Sequence, residues 1–106
     1  MTLPQAKFSV GQIITHRIFE YRGVIVDVDS HFLGTKDWYR NATHSKPPKD
    51  RPWYHVLMDG DDVKTYVAER NLEPDTLGTP IRHHDIGKFF TSFGEDGRYV
   101  LKSKNN

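Results

Sequence analysis

The stretch that most limits what this chain can become runs from Trp53 to Pro74. Two β-rich runs, Trp53-Tyr54-His55-Val56-Leu57-Met58 and Val63-Lys64-Thr65-Tyr66-Val67-Ala68, flank an acidic turn containing Asp59-Gly60. Aromatic and branched residues alternate with polar ones on both sides of a turn dipeptide, the strongest short-range signal for an antiparallel hairpin. The pattern predicts paired strands over 53–58 and 63–68. Alternation puts Trp53, His55 and Leu57 on one face and Tyr54, Val56 and Met58 on the other. Both faces carry bulk, and a lone hairpin is marginal in water, so the remaining segments must complete a sheet or barrel around it.

Phe8 to His16 reads as an opening strand with Gly11 at a bend. Gly23-Val24-Ile25-Val26-Asp27-Val28-Asp29 is the most β-branched run and the candidate central strand. A period of two sets Val24, Val26 and Val28 toward the core, with Ile25, Asp27 and Asp29 on the opposite face. Phe32 to Arg40 fits a short helical turn. Residues 41–52 read as an exposed loop, because Pro47, Pro48 and Pro52 cannot continue a helix. Glu69-Arg70-Asn71-Leu72 fits a single helical or 3₁₀ turn that returns Leu72 to the core. Ile86, Phe89, Phe90 and Phe93 fall at helical spacing, predicting a short C-terminal helix that docks outside the barrel and ends near Gly94. Glu95-Asp96-Gly97 suits a turn and Arg98 to Leu101 a last short strand. The expected architecture is mainly β: a small barrel of about five strands spanning 8–101, between a flexible N-terminus, 1–7, and a flexible tail, 102–106.

A chain of 106 residues with 36% hydrophobic and 12% aromatic content can bury a real core. Cysteine is absent, which removes disulfides, thiolate chemistry and Cys-containing zinc sites. No run resembles a signal peptide or approaches the roughly 20 apolar residues that span a bilayer. The expectation is a soluble, cytoplasmic protein without a membrane partner. No Gly-x-Ser-x-Gly and no phosphate loop is present, and the Asp27/Asp29 pair sits at ordinary strand spacing, so no catalytic residue is assigned. His83-His84-Asp85 is the most tempting metal cluster, but adjacent side chains of an extended segment point apart and no His-x₃-His supplies a second tooth. No metal or cofactor is assigned. His84 or Asp85 is read as contributing to a helix start, and His55 as a half-buried histidine satisfied within the barrel.

A net charge of +1 does not mark a bulk polyanion binder, so any nucleic-acid surface must come from local segregation. Segregation is present. Within 36–51, Lys36, Arg40, Lys46, Lys49 and Arg51 oppose Asp37 and Asp50, a net +3 before His44 is considered. Within 59–75, Asp59, Asp61, Asp62, Glu69, Glu73 and Asp75 oppose Lys64 and Arg70, a net −4. The five cations, with Trp38 and Tyr39 beside them, form a candidate nucleic-acid surface: Lys and Arg neutralise phosphates and aromatic rings pack on sugars or bases. The same composition also describes a solvated face with Trp38 in the core. Trp38, Tyr39, Asp61 and Asp62 are alternatively candidate contacts for a protein partner or for a second copy of the chain.

Phe8-Ser9-Val10-Gly11-Gln12 with His16, Gly23 to Asp29, Pro52-Trp53-Tyr54-His55-Val56-Leu57, and Thr65 to Leu72 together resemble the YccV-like, hemimethylated-DNA-binding domain family, whose bacterial type member is the heat-shock protein HspQ. The resemblance runs over about 8–74, and His84 to Phe90 with Gly97 to Val100 is similar to the longer branch of the family. It implies an SH3-like β-barrel, binding of hemimethylated DNA, and a part in the heat-shock response. It also implies, as an alternative, an adaptor or specificity factor for cytoplasmic ATP-dependent proteolysis, with a protease or its substrates as partners. No DNA-contacting residue is carried over from the family.

Overall fold

The computed structural model describes residues 5–43 and 45–102. Met1–Pro4, His44 and residues 103–106 lie outside it, and with them most of the two ends expected to be flexible. Among the described residues, seven strands form two antiparallel sheets. The larger sheet has the order β4-β3-β2-β1-β5, with β1 Ile13–His16, β2 Arg22–Asp29, β3 Trp53–Met58, β4 Lys64–Ala68 and β5 Leu72–Pro74. The expected hairpin is β3–β4, with Trp53 opposite Ala68, His55 opposite Tyr66 and Leu57 opposite Lys64. Helix α1, Lys36–Ala42, bridges β2 and β3, and a single 3₁₀ turn, Glu69–Asn71, links β4 to β5.

The expected barrel does not close. β4 and β5 stand at opposite edges of the sheet with no ladder between them. The 3₁₀ turn leaves only three residues for β5, and that strand spends its pairing on β1, Leu72 lying opposite His16. Its last residue, Pro74, has no N–H to donate.

Both faces of this sheet are covered, as the hairpin requires. One face carries Phe8, Ile14, Ile25, Tyr54, Val56, Val67 and Leu72. The other carries Ile13, Val24, Val26 and Leu57 beneath Ile81, Phe90 and Tyr99. The expected facing of β2 is therefore only half right. Ile25 pairs with Val56 and Asp27 with His55, so Val26 is an extra residue and the alternation changes phase there. Val24 and Val26 enter the second core, whereas Ile25 is fully buried in the first and Val28 packs against it.

The C-terminal segment differs in the same way. Helix α2 covers only Ile86–Phe89; Phe90–Phe93 form β6, which pairs with β7, Tyr99–Leu101. Thr91 is an extra residue in that ladder, so Phe90 and Phe93 share a face three positions apart on a strand. Phe90 is buried within the second core and does not merely dock outside it. Gly11 stitches the two sheets together: its N–H donates to Ile25 O at 2.8 Å and its carbonyl accepts from Tyr99 N–H at 2.9 Å. Its φ of +92° and a would-be Cβ 2.5 Å from Tyr99 O admit only glycine.

Candidate functional site

The segment between β2 and β3 is a built platform. Thr35 opens α1, its Oγ1 accepting from Trp38 N–H at 3.0 Å, and Thr43 closes it, N–H and Oγ1 both bonding Tyr39 O. The returning chain is strapped onto what lies below. Tyr39 Oη donates to Pro47 O at 2.6 Å, Trp53 Nε1 to Pro48 O at 3.0 Å, and Lys49 O accepts from Phe32 N–H at 2.9 Å. The expected 41–52 loop thus begins within α1, and Pro47 and Pro52 are buried where an exposed loop was expected.

Beneath α1 lies an aromatic cluster. Phe32 contacts Trp53 at 4.8 Å between centroids, Tyr39 at 5.3 Å and Trp38 at 5.9 Å, while Tyr66 lies 5.1 Å from Trp53 and 5.6 Å from Trp38. Tyr66 Oη donates to Asp29 Oδ2 at 2.7 Å and accepts from Leu33 N–H at 3.1 Å, and His55 Nε2 lies 3.1 Å from the same carboxylate oxygen. Burial, reinforced by the bond to Asp29, pushes the Tyr66 hydroxyl up to about 12, so it stays a donor at any working pH. A cavity of about 340 Å³ opens here, lined by Asp29, Leu33, Thr35, Trp38, His55 and Tyr66. Flat rings around a carboxylate can stack a planar group and accept its N–H donors.

All five predicted cations lie on this platform and are exposed. Lys36 and Arg40, four residues apart, share one face of α1. Arg40 also lies 3.8 Å from Asp37. Lys49 Nζ sits 4.3 Å from the Tyr39 ring centroid, a cation–π contact that helps hold the loop. Lys46 adopts φ +51°. Trp38 is at the surface, 36% exposed, and Tyr39 is half-buried. Arg70, counted in the acidic segment of the sequence, belongs here as well, its Nη2 donating to Ser45 O at 2.8 Å. Arg70, Asp29, Tyr66 and Phe32 were all missed from sequence; only strand pairing and the loop's return bring them to this place.

Asp61 and Asp62 are not part of this platform. They lie in the β3–β4 turn, at the other end of β3, a separation of about 20 Å over its length. Most of the acidic segment is occupied with internal bonds. Arg22 Nε donates to Asp75 Oδ1 at 2.9 Å and Nη1 reaches Asp59 Oδ2 at 3.5 Å, while Asp59 Oδ1 accepts from Arg82 N–H at 2.7 Å. Burial works against ionisation of Asp75, but the Arg22 bond and the N–H groups of Gly78 and Leu77 outweigh it and hold the carboxyl below its ordinary range. Asp62 pairs with His84 Nδ1 at 2.8 Å, and the N–H and ring of His84 hold its carboxyl low.

Two groups of potential metal donors come together among the described residues, Asp62/His83/His84 and Asp27/Asp29/His55. The expectation that His83 and His84 point apart fails: their rings stack at 5.1 Å because the chain turns there, Ile86 N–H bonding His83 O. His83 Nδ1 accepts from Asp85 N–H, which leaves the neutral ring's proton on Nε2 and no free lone pair for a metal. His84 is bracketed by Asp62 and Asp85, and Asp27 Oδ1 accepts from Val28 N–H. Hydrogen bonding engages much of both clusters, while His83 Nε2 is buried without a hydrogen-bond partner. Asp85 occupies the N-cap position of α2, as expected of a helix start, without a side-chain capping bond.

No helix among the described residues is long and apolar enough to cross a membrane. A family model described as "Hemimethylated DNA-binding protein YccV like" matches residues 6–97, which is 92 of the chain's 106 residues. The match takes in the large sheet, the platform, α2 and β6, reaching well past the 8–74 core of the sequence resemblance. The chain belongs to the YccV-like family.

Proposed function

We propose that this protein is a non-enzymatic DNA-binding module that engages hemimethylated duplex through the platform between β2 and β3, in the heat-shock response of the cytoplasm. The observation that carries this reading is the braced cationic surface of Lys36, Arg40, Lys46, Lys49 and Arg51, extended by Arg70, in a chain whose family is described as hemimethylated-DNA-binding. The cations neutralise phosphates, while Trp38 and the Asp29/Tyr66 cavity lie close enough to read a base. Fluorescence anisotropy with hemimethylated, fully methylated and unmethylated duplexes of one sequence tests it. Affinity falls steeply with salt, and each phosphate contact removed by Lys36→Ala, Lys46→Ala or Arg51→Ala flattens the logarithmic salt slope by about 0.9. Absence of binding at low salt overturns the reading; equal binding of the three duplexes overturns only the methylation preference.

A second reading is an adaptor for ATP-dependent proteolysis. It is favoured by surface that the platform does not use: the exposed Asp61 and Asp62 at the far turn, and exposed apolar residues elsewhere. Trp38 and Tyr39 are the candidate partner contacts on the platform side. Partners recovered from heat-stressed lysate should survive nuclease treatment, and Asp61→Lys with Asp62→Lys should change degradation of a model substrate. Loss of every partner with the nucleic acid overturns it.

A further inference from the structure

β4 is an edge strand, and its outer side is open. Met58 N–H bonds Val63 O and Glu69 N–H bonds Pro52 O, so the hydrogen-bonded pairs of the β3–β4 ladder are 58/63, 56/65, 54/67 and 52/69. The alternate residues, Lys64 and Tyr66, therefore turn N–H and C=O outward, and Ala68 turns its N–H outward. No loop or turn among the described residues supplies backbone partners for these groups. β5, the other edge, is three residues long and ends in proline.

A groove of about 690 Å³ follows this edge and is walled from both faces of the sheet. On one side stand Ile18 and Phe19, 59% and 70% exposed, with Tyr21; on the other stand Trp38, Ala42 and Pro47. Because β4 itself separates the two faces, a cavity lined from both must pass over its edge. Natural edges are usually blunted by charge, proline or a bulge, yet β4 has neither proline nor bulge and carries one charge, Lys64.

We infer that this groove binds an extended polypeptide segment of a protein partner by strand addition to β4, the segment carrying alternating apolar residues and a carboxylate beside Lys64. Outward N–H and C=O groups provide the ladder, and the two walls provide pockets for side chains that alternate up and down. Charge selects the occupant. Lys64 is the one residue with a permanent charge among those lining the groove, and no carboxylate lines it. A second copy paired through its own β4 supplies no carboxylate within that strand for Lys64. The inference rests on the protein-partner reading and gives it a location away from the Asp61/Asp62 turn and from the platform cations, with Trp38, His55 and Tyr66 lining both this groove and the platform cavity.

The test is anisotropy of a fluorescein-labelled peptide of alternating Val and Thr with two Glu at one end, measured beside versions N-methylated at alternate backbone nitrogens. Phe19→Ser and Lys64→Glu, both at exposed positions that leave the fold intact, should each weaken binding about tenfold. Binding should slow hydrogen exchange at the Lys64 and Tyr66 amides, and N-methylation on the bonding side should abolish it. Equal binding of N-methylated peptides or unchanged exchange at Tyr66 overturns the inference. If lysate partners survive nuclease and still bind Phe19→Ser/Lys64→Glu, the edge site fails while the partner reading stands; if no partner survives nuclease, the partner reading itself fails.

Discussion

His16 shows how much one buried polar side chain organises. It is 5% exposed, and its Nδ1 accepts two backbone N–H bonds, from Ile18 at 3.1 Å and Phe19 at 3.0 Å. Around it the chain reverses, with Glu20 at φ +62°. Burial lowers the His16 pKa from its ordinary 6.5, and protonation of Nδ1 breaks both bonds. The sign follows: the contribution to stability is complete above pH 6.5 and is lost as pH falls through the depressed folded value. Thermal unfolding followed between pH 7.5 and 5 should show this loss in the native protein, while His16→Asn, which keeps an acceptor at the same branch but cannot titrate, should flatten the profile. His16→Ala should cost about 1–3 kcal/mol for two unmet backbone donors. A histidine ending a strand pattern gives no such information in sequence, because its partners are amides whose positions depend on the turn.

At the scale of elements, local signals were legible and phase was not. The β3–β4 hairpin and the 3₁₀ turn were visible because alternation, an Asp-Gly turn and the following Leu72-Glu73-Pro74 are all short-range features. The valine face of β2 and the extent of the C-terminal helix were misread for one shared reason. A bulge adds a residue, so Val26 shifts the period of two, and Thr91 lets phenylalanines three apart share a strand face and imitate a helix. For the candidate site, the cations and Trp38 could be read directly, whereas the brace beneath them could not, since Asp29, Tyr66 and Arg70 arrive from three elements. The brace can be tested through its first element. Thr35→Ala removes the N-cap of α1 and should cost about 1 kcal/mol, seen as a lower midpoint in urea unfolding. If the platform binds DNA as one ordered surface, the same change should weaken the complex although no cation is lost.

Across the whole molecule, the second core is assembled from distant parts of the chain. Ile13, Val24 and Leu57 come from the large sheet, Phe90 and Tyr99 from the small one, and Ile81 from the segment between them. Tyr99 both donates its hydroxyl to Ile81 O and accepts from Ile81 N–H. Gly11 bonds a strand of each sheet, and Gly11→Ala forces both a strained φ and a clash with Tyr99 O. It should destabilise the protein by about 1–3 kcal/mol or more, with the urea midpoint falling and tryptophan fluorescence still reporting one transition. The open sheet departs from the SH3-like barrel implied by the resemblance because β4 and β5 do not pair, and its second face is covered by the small sheet and Ile81. That arrangement also sets an order of events on the ribosome. The large sheet is translated by Pro74, but the cover over Val24 and Leu57 comes from Ile81, Phe90 and Tyr99, all later in the chain. The nascent chain therefore passes through an interval in which the large sheet can form with one greasy face open to the cell, until the later segments leave the ribosome and cover it.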